Sequence, residues 1–81
     1  MLIYDQAWHR TQKPFIIDGN QKMARGDYTG AIQAFDKAIQ KSHDYAMAYE
    51  KRAFSYRRLG QHTEADADFT KACSLDSKYC Y

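Results

Sequence analysis

Proline occurs once in these 81 residues, glycine four times and cysteine twice. With so few chain breakers and 15% aromatic residues, the composition is that of an ordered globular chain rather than a disordered one. Two cysteines in so short a chain make no disulfide framework. No apolar run of about 7 to 15 residues follows a basic start, so neither secretion nor membrane insertion is indicated. A reducing cytosol is the default compartment, and a cytoplasmic protein is expected. An excess of one charge is missing too. Twelve basic and ten acidic residues leave +2, spread as zero over residues 1–11 and +1 over each of 12–45 and 46–79, which excludes a nucleic-acid-binding polycation.

Catalytic groupings are equally sparse. His9, His43 and His62 are 34 and 19 residues apart, with no HxxxH, CxxC or ExxH nearby, so they form no metal-ligand pattern. Glycine-rich phosphate loops, nucleophile elbows and paired-carboxylate motifs do not occur. Cys73 takes the place that Ile39 holds 34 residues earlier and reads as a small core residue, while Cys80 reads as more exposed. No catalytic residue, metal site or cofactor is expected, and the chain is read as a non-enzyme.

What is there is a repeat. Sliding the chain on itself by 34 residues pairs Gly26 with Gly60, Thr29 with Thr63, Ala31 with Ala65 and Phe35 with Phe69. Lys37 then meets Lys71, Ala38 meets Ala72 and Tyr45 meets Tyr79. A fixed period in this range marks a repeat architecture. A chain of this length buries only about 60% of its unfolded surface, so it has little core to spare.

Each repeat reads as two helices. Over residues 62–75, Ala65, Phe69, Ala72, Cys73 and Leu75 recur mostly at spacings of three and four, with Glu64, Asp66, Asp68 and Lys71 between them. Thr63 followed three residues later by Asp66 reads as a near capping box. Over residues 29–41 the counterpart stripe is Ala31, Ile32, Phe35, Ala38 and Ile39. Upstream helices over 14–25 and 45–59 stop at Gly26 and Gly60, natural C-terminal caps. Pro14 suits a first turn, and Asp44 or Ser42 can cap the helix near Tyr45. Four helices with short turns stack as neighbouring antiparallel pairs.

With those positions in hand the chain resembles two tandem tetratricopeptide repeats (TPR), residues 12–45 and 46–79. The family pattern has an aromatic near the start of the first helix, here Phe15 and Tyr49, and a small residue at a close helix crossing, here Gly19 and Ala53. A later aromatic is met by Tyr56 and departed from by Lys22. The proline usual after the second helix is replaced by His43 and Ser77, which questions the rigidity of the turns. The resemblance implies an all-α fold: helix-turn-helix repeats stacked as a short right-handed α-solenoid, with residues 1–11 as an N-terminal segment, an extra helix or tail. Tyr79-Cys80-Tyr81 sits where Tyr45-Ala46-Met47 begins a first helix, so residues 80–81 read as the truncated start of a further helix. A bare solenoid end exposes its stacking face, which implies a fragment of a longer protein, or cover by residues 1–11 or by a second copy.

A second line on each first helix carries the functional expectation. Met47, Glu50, Phe54 and Arg57 lie about 100° from the core stripe of Tyr49, Ala53 and Tyr56. Ile16, Asn20 and Met23 form the matching line one repeat earlier, with Ala24 beside it, and Arg58 is the counterpart of Ala24 on the later helix. In the family this line faces a concave groove that holds an extended peptide or a partner helix, so the resemblance implies that these eight residues, Ala24 aside, line a ligand surface. Packing of Met23, Met47 and Phe54 against one another is the plainer alternative. Lys51, Arg52, Arg57 and Arg58 against Glu50 make the groove side basic, which favours a partner with carboxylates. The family's two-carboxylate clamp for chaperone tails is broken here: Asn20 matches, but Ile16 stands where its lysine belongs and Lys51 where its second asparagine belongs. The expected function is a non-enzymatic module that binds another protein's peptide or helix, without nucleic acid or membrane. The alternative is a homo-oligomer that self-associates through the uncapped end, with Tyr79 and Tyr81 as contacts.

Overall fold

The computed structural model of this chain describes residues 12–81, which carry four α-helices and one 3-10 turn. Helix α1 is Lys13–Ala24, α2 Tyr28–Lys41, α3 Ala46–Arg58 and α4 His62–Leu75, followed by the turn Ser77–Tyr79. No strand occurs among the described residues. Residues 1–11, for which a docked helix or tail is expected, lie outside them.

Each helix starts and stops for a local reason. Pro14 stands in the first turn of α1, where its missing N–H has no partner to lose. Helices α1 and α3 end in the same way. The N–H of Gly26 donates to Met23 O (2.9 Å) and that of Asp27 to Lys22 O (2.8 Å), while Gly60 donates to Arg57 O (3.0 Å) and Gln61 to Tyr56 O (2.9 Å). This double closure needs a left-handed residue, and both glycines sit at φ +80. Asp27 then caps α2 by accepting from Gly30 N at 3.0 Å.

Two expected caps do not form. The residue before α4 is Gln61, without a side-chain cap, which leaves Thr63 inside the helix, two residues too late to cap it. Tyr45 precedes α3, also without a side-chain cap, because the Ser42 hydroxyl donates to Asp44 Oδ1 (2.9 Å) instead. That bond stiffens the 42–45 turn. The Tyr49 hydroxyl adds to it by donating to His43 O at 2.9 Å, so the turn without the family's proline is held by side chains.

Turns of three to four residues make each helix pack against its predecessor: α1 on α2, α2 on α3, α3 on α4, with α1 also touching α3. One apolar cluster crosses all of them, formed by Ile16, Ala31, Phe35, Ala38, Ile39, Ala48, Tyr49 and Ala72. Phe35 and Ala53 are fully buried. A Cβ built on Gly19 would fall 2.6 Å from Phe35 Cζ, so α1 and α2 cross at a distance that only glycine permits.

A charged contact ties the two repeats together. Arg52 on α3 donates from Nε and Nη2 to the two carboxylate oxygens of Asp68 on α4, both at 2.7 Å, and from Nη1 to Asp36 Oδ1 on α2 at 2.8 Å. The guanidinium also lies 5.6 Å and 5.8 Å from the ring centres of Tyr49 and Tyr56. Its two carboxylate partners hold Arg52 firmly protonated, above its ordinary value despite burial. Arg52, expected to make the groove basic, is thus neutralised inside the packing. Periodicity could not reveal this, because its partners lie 16 residues away in each direction.

Candidate interaction site

The last turn of α3, the middle of α4 and residues 79–81 enclose a cleft of about 540 Å³, lined by Phe54, Arg57, Phe69, Thr70, Cys73, Tyr79, Cys80 and Tyr81. Phe54 comes from α3 and Phe69 from α4. Their rings meet edge to face, 5.1 Å between centres at 81°. Arg57 follows Phe54 by three residues and so lies on the same side of α3. Its guanidinium is 5.3 Å from the Phe54 ring centre and 5.1 Å from that of Phe69. Stacking of this kind contributes about 0.5–1 kcal/mol at an exposed site, enough to orient the cation while its N–H donors stay in water.

The third wall is the segment after α4. Asp76 Oδ1 accepts from Lys78 N (3.1 Å), and the backbone N–H groups of Tyr79 and Cys80 donate to Asp76 O and Ser77 O, each at 3.0 Å. This single turn directs the chain back over α4. Cys80 is bonded there to Cys73 through a disulfide, and the Tyr81 ring meets Phe69 edge on at 6.0 Å and 86°. The Tyr81 hydroxyl donates to Glu50 Oε2 on α3, and the carboxylate acceptor pushes the phenol above its ordinary pKa.

The expected ligand-surface residues do not all gather here. Phe54 and Arg57 line the cleft, and Glu50 borders it through Tyr81. Asn20 is exposed on α1, while Met23 and Met47 are half-buried against the core cluster. Ile16 is 4% exposed and belongs to that cluster, so it supports the surface from behind and offers nothing to a ligand. Arg58 turns away from the cleft, donating from Nε to the Tyr28 hydroxyl at 3.1 Å with its guanidinium 5.4 Å from the Tyr28 ring centre. Tyr79 is half-buried and packs on the core, whereas Tyr81 is 84% exposed.

Three features escape the sequence reading. Cys73 and Cys80 were expected to stand apart as a core residue and an exposed thiol. The turn at 77–79 brings them together, and Cys80 is extended rather than helical. Phe69 reads as part of the apolar stripe of residues 62–75 and is the repeat counterpart of Phe35. Phe35 lies under Gly19 and α3, but no further helix covers Phe69 among the described residues, so its ring joins the cleft. Thr70 follows it there.

A group of three or more His, Cys, Asp and Glu side chains able to hold a metal ion does not occur among the described residues. No helix among them is long and apolar enough to cross a membrane.

Comparison with known proteins agrees with the repeat reading. A family model described as TPR repeat matches residues 19–60, and one described as tetratricopeptide repeat matches residues 46–79. The chain is 34% identical over 62 residues to small glutamine-rich tetratricopeptide repeat-containing protein 2 of Mycosarcoma maydis, covering 76% of this chain and 18% of that protein. It is 34% identical over 61 residues to the human mitochondrial import receptor subunit TOM34, covering 75% of this chain and 20% of that protein. A heat-shock protein cognate co-chaperone, sgt12 of Aspergillus fumigatus, is also 34% identical, over 76% of this chain and 18% of its own length. The chain thus spans about a fifth of the length of these relatives. No solved structure matches it.

Proposed function

The chain belongs to the tetratricopeptide repeat family, and from that premise we propose that it is a protein-interaction module whose working surface is the cleft between Phe54, Arg57 and Phe69. Its occupant is a peptide or helix of another protein that carries an aromatic or large apolar side chain next to a carboxylate. The observation that carries this reading is Arg57: its guanidinium stacks on two aromatic rings and pairs with no carboxylate among the described residues. Arginine in such a setting binds a carboxylate bidentately while the rings take an apolar neighbour.

A relative named as a heat-shock protein cognate co-chaperone makes chaperones candidate partners in this reading. The carboxylate-clamp route is disfavoured by Ile16, apolar and buried where a lysine belongs. The compartment in this reading is the cytosol.

Selection from a displayed peptide library, followed by titration of the selected peptides, tests the proposal. Enrichment of aromatic residues next to Asp or Glu is expected. Phe54→Ala and Arg57→Ala should each weaken the selected peptides at least tenfold, with helicity and mass unchanged. Binding that is indifferent to both variants overturns the reading.

A second reading, self-association through the same face, draws on Tyr79 and Tyr81, which also line the cleft. Its mark is a solution mass above that of one chain that survives dilution and falls on substitution of Tyr81.

A further inference from the structure

The partner-binding reading leaves the disulfide without a role. Cys73 lies on α4 in the wall of the cleft, half-buried, and Cys80 lies exposed on the segment that forms the opposite wall. Between them the chain makes only one 3-10 turn. Beyond the bond, the segment's aromatic end rests on one ring edge, that of Phe69, and one hydrogen bond, to Glu50. Tyr81 itself stays 84% exposed. Tyr79 anchors the turn by packing on the core cluster, but contacts this thin do not hold the two residues beyond it in one place against their conformational entropy. The covalent link does.

We propose that Cys73 and Cys80 form a redox latch over the cleft. With the disulfide closed, residues 80–81 are pinned beside α4, and Tyr81 occupies the edge of Phe69 and the carboxylate of Glu50. When a dithiol reductant opens the bond, residues 80–81 leave and Tyr81 vacates both positions. The balance is simple: two electrons and two protons from the dithiol convert the Sγ–Sγ bond into two thiols, and the dithiol becomes a cyclic disulfide. Exchange with an oxidised dithiol of the same class restores the bond. Cys80 is the sulfur open to attack, because it is the exposed one of the pair.

The vacated place defines what enters it. Phe69 offers a ring edge and Glu50 an acceptor, so the opened cleft takes an aromatic side chain with a polar hydrogen, a tyrosine or tryptophan of the partner, in place of Tyr81. That last step rests on the partner-binding reading above. The latch does not, and the experiment separates them.

The 81-residue chain is compared in its oxidised form, in the presence of a dithiol, and as Cys80→Ser. Mass spectrometry first shows whether the oxidised form is two hydrogens lighter; two free thiols in the air-equilibrated chain overturn the latch. Amide hydrogen exchange is then followed at Cys80 and Tyr81 and across α1 to α4, together with the ring resonances of Phe69. Reduction should speed exchange at Cys80 and Tyr81 by about tenfold or more, the scale set by opening so short a loop, and move the Phe69 resonances. The helices should be unchanged, and Cys80→Ser should match the reduced chain under both conditions. Unchanged exchange on reduction overturns the latch, and so does acceleration throughout α1 to α4, which would make the bond a structural staple. Peptides selected as above report on the reading beneath it: if the segment is released but the peptides bind both forms alike, the latch holds and the Tyr81 position is not part of the partner's site.

Discussion

Arg52 grips Asp68 through two parallel hydrogen bonds of 2.7 Å each, side by side in a contact where the Asp68 side chain is 8% exposed. A fork of this geometry fixes α3 on α4, and the third donor reaches Asp36 on α2. Removing the cation would strand a buried carboxylate. Arg52→Leu is therefore expected to cost about 3–5 kcal/mol, and Asp36→Asn, at a side chain 39% exposed, no more than about 1 kcal/mol. Chemical denaturation of the two variants checks the ordering; equal losses would show that Asp68 is not the partner that matters.

Gly19→Ala should destabilise the chain, against the helix propensity scale. Alanine gains up to about 1 kcal/mol over glycine in a helix, but the added methyl meets the fully buried Phe35 ring, and overpacking costs about 1–3 kcal/mol. A net gain in denaturation midpoint would show that the helices part without penalty.

Caps give a paired test. Asp27→Ala removes the acceptor for Gly30 N and should cost about 1 kcal/mol. Thr63→Ala, at the equivalent helix of the second repeat, removes no cap and should stay within about 0.5 kcal/mol. Thermal melts of both suffice, and a larger loss at Thr63 would contradict the cap assignment.

Alkaline pH should unfold the chain through its tyrosines. Burial pushes the phenols of Tyr45, Tyr49, Tyr56 and Tyr79 above the ordinary 10.0. A folded pKa above the unfolded one means that the contribution is complete below pH 10 and is lost as pH rises through the folded values. Phenolate absorbance should therefore appear at higher pH in the folded chain than in denaturant, with the melting temperature falling over the same interval. Coincident titrations would contradict the burial of these phenols.

Legibility in the sequence follows the range of the interaction concerned. Gly26 and Gly60 announce their turns because a left-handed closure is decided within six residues, and the stripe at Ala31, Phe35 and Ala38 announces a buried face because its spacing is that of one helix. Arg52 was invisible as a bridge, since nothing within its own helix distinguishes a cation that will meet Asp36 and Asp68 from one that will meet water. Ile16 misled for a related reason: its register placed it on the ligand line, while its burial depends on how α1 lies against the rest of the core. Thr63 shows the limit of local rules, a capping residue displaced by two positions because the preceding closure at Gly60 and Gln61 sets where α4 can begin. Phe69 shows the other limit, since identity with Phe35 transfers the side chain but not its neighbours.

The apolar cluster draws members from all four helices, from Ile16 on α1 to Ala72 on α4, and the half-buried Arg52 clasps helices of both repeats. Nothing in this arrangement offers a plane along which the two halves could part without opening the interior of each. In a linear array, stability divides into what each unit holds alone and what neighbours share, and here both draw on the same apolar cluster. The two repeats should melt as one cooperative unit, and either half expressed alone should be unfolded.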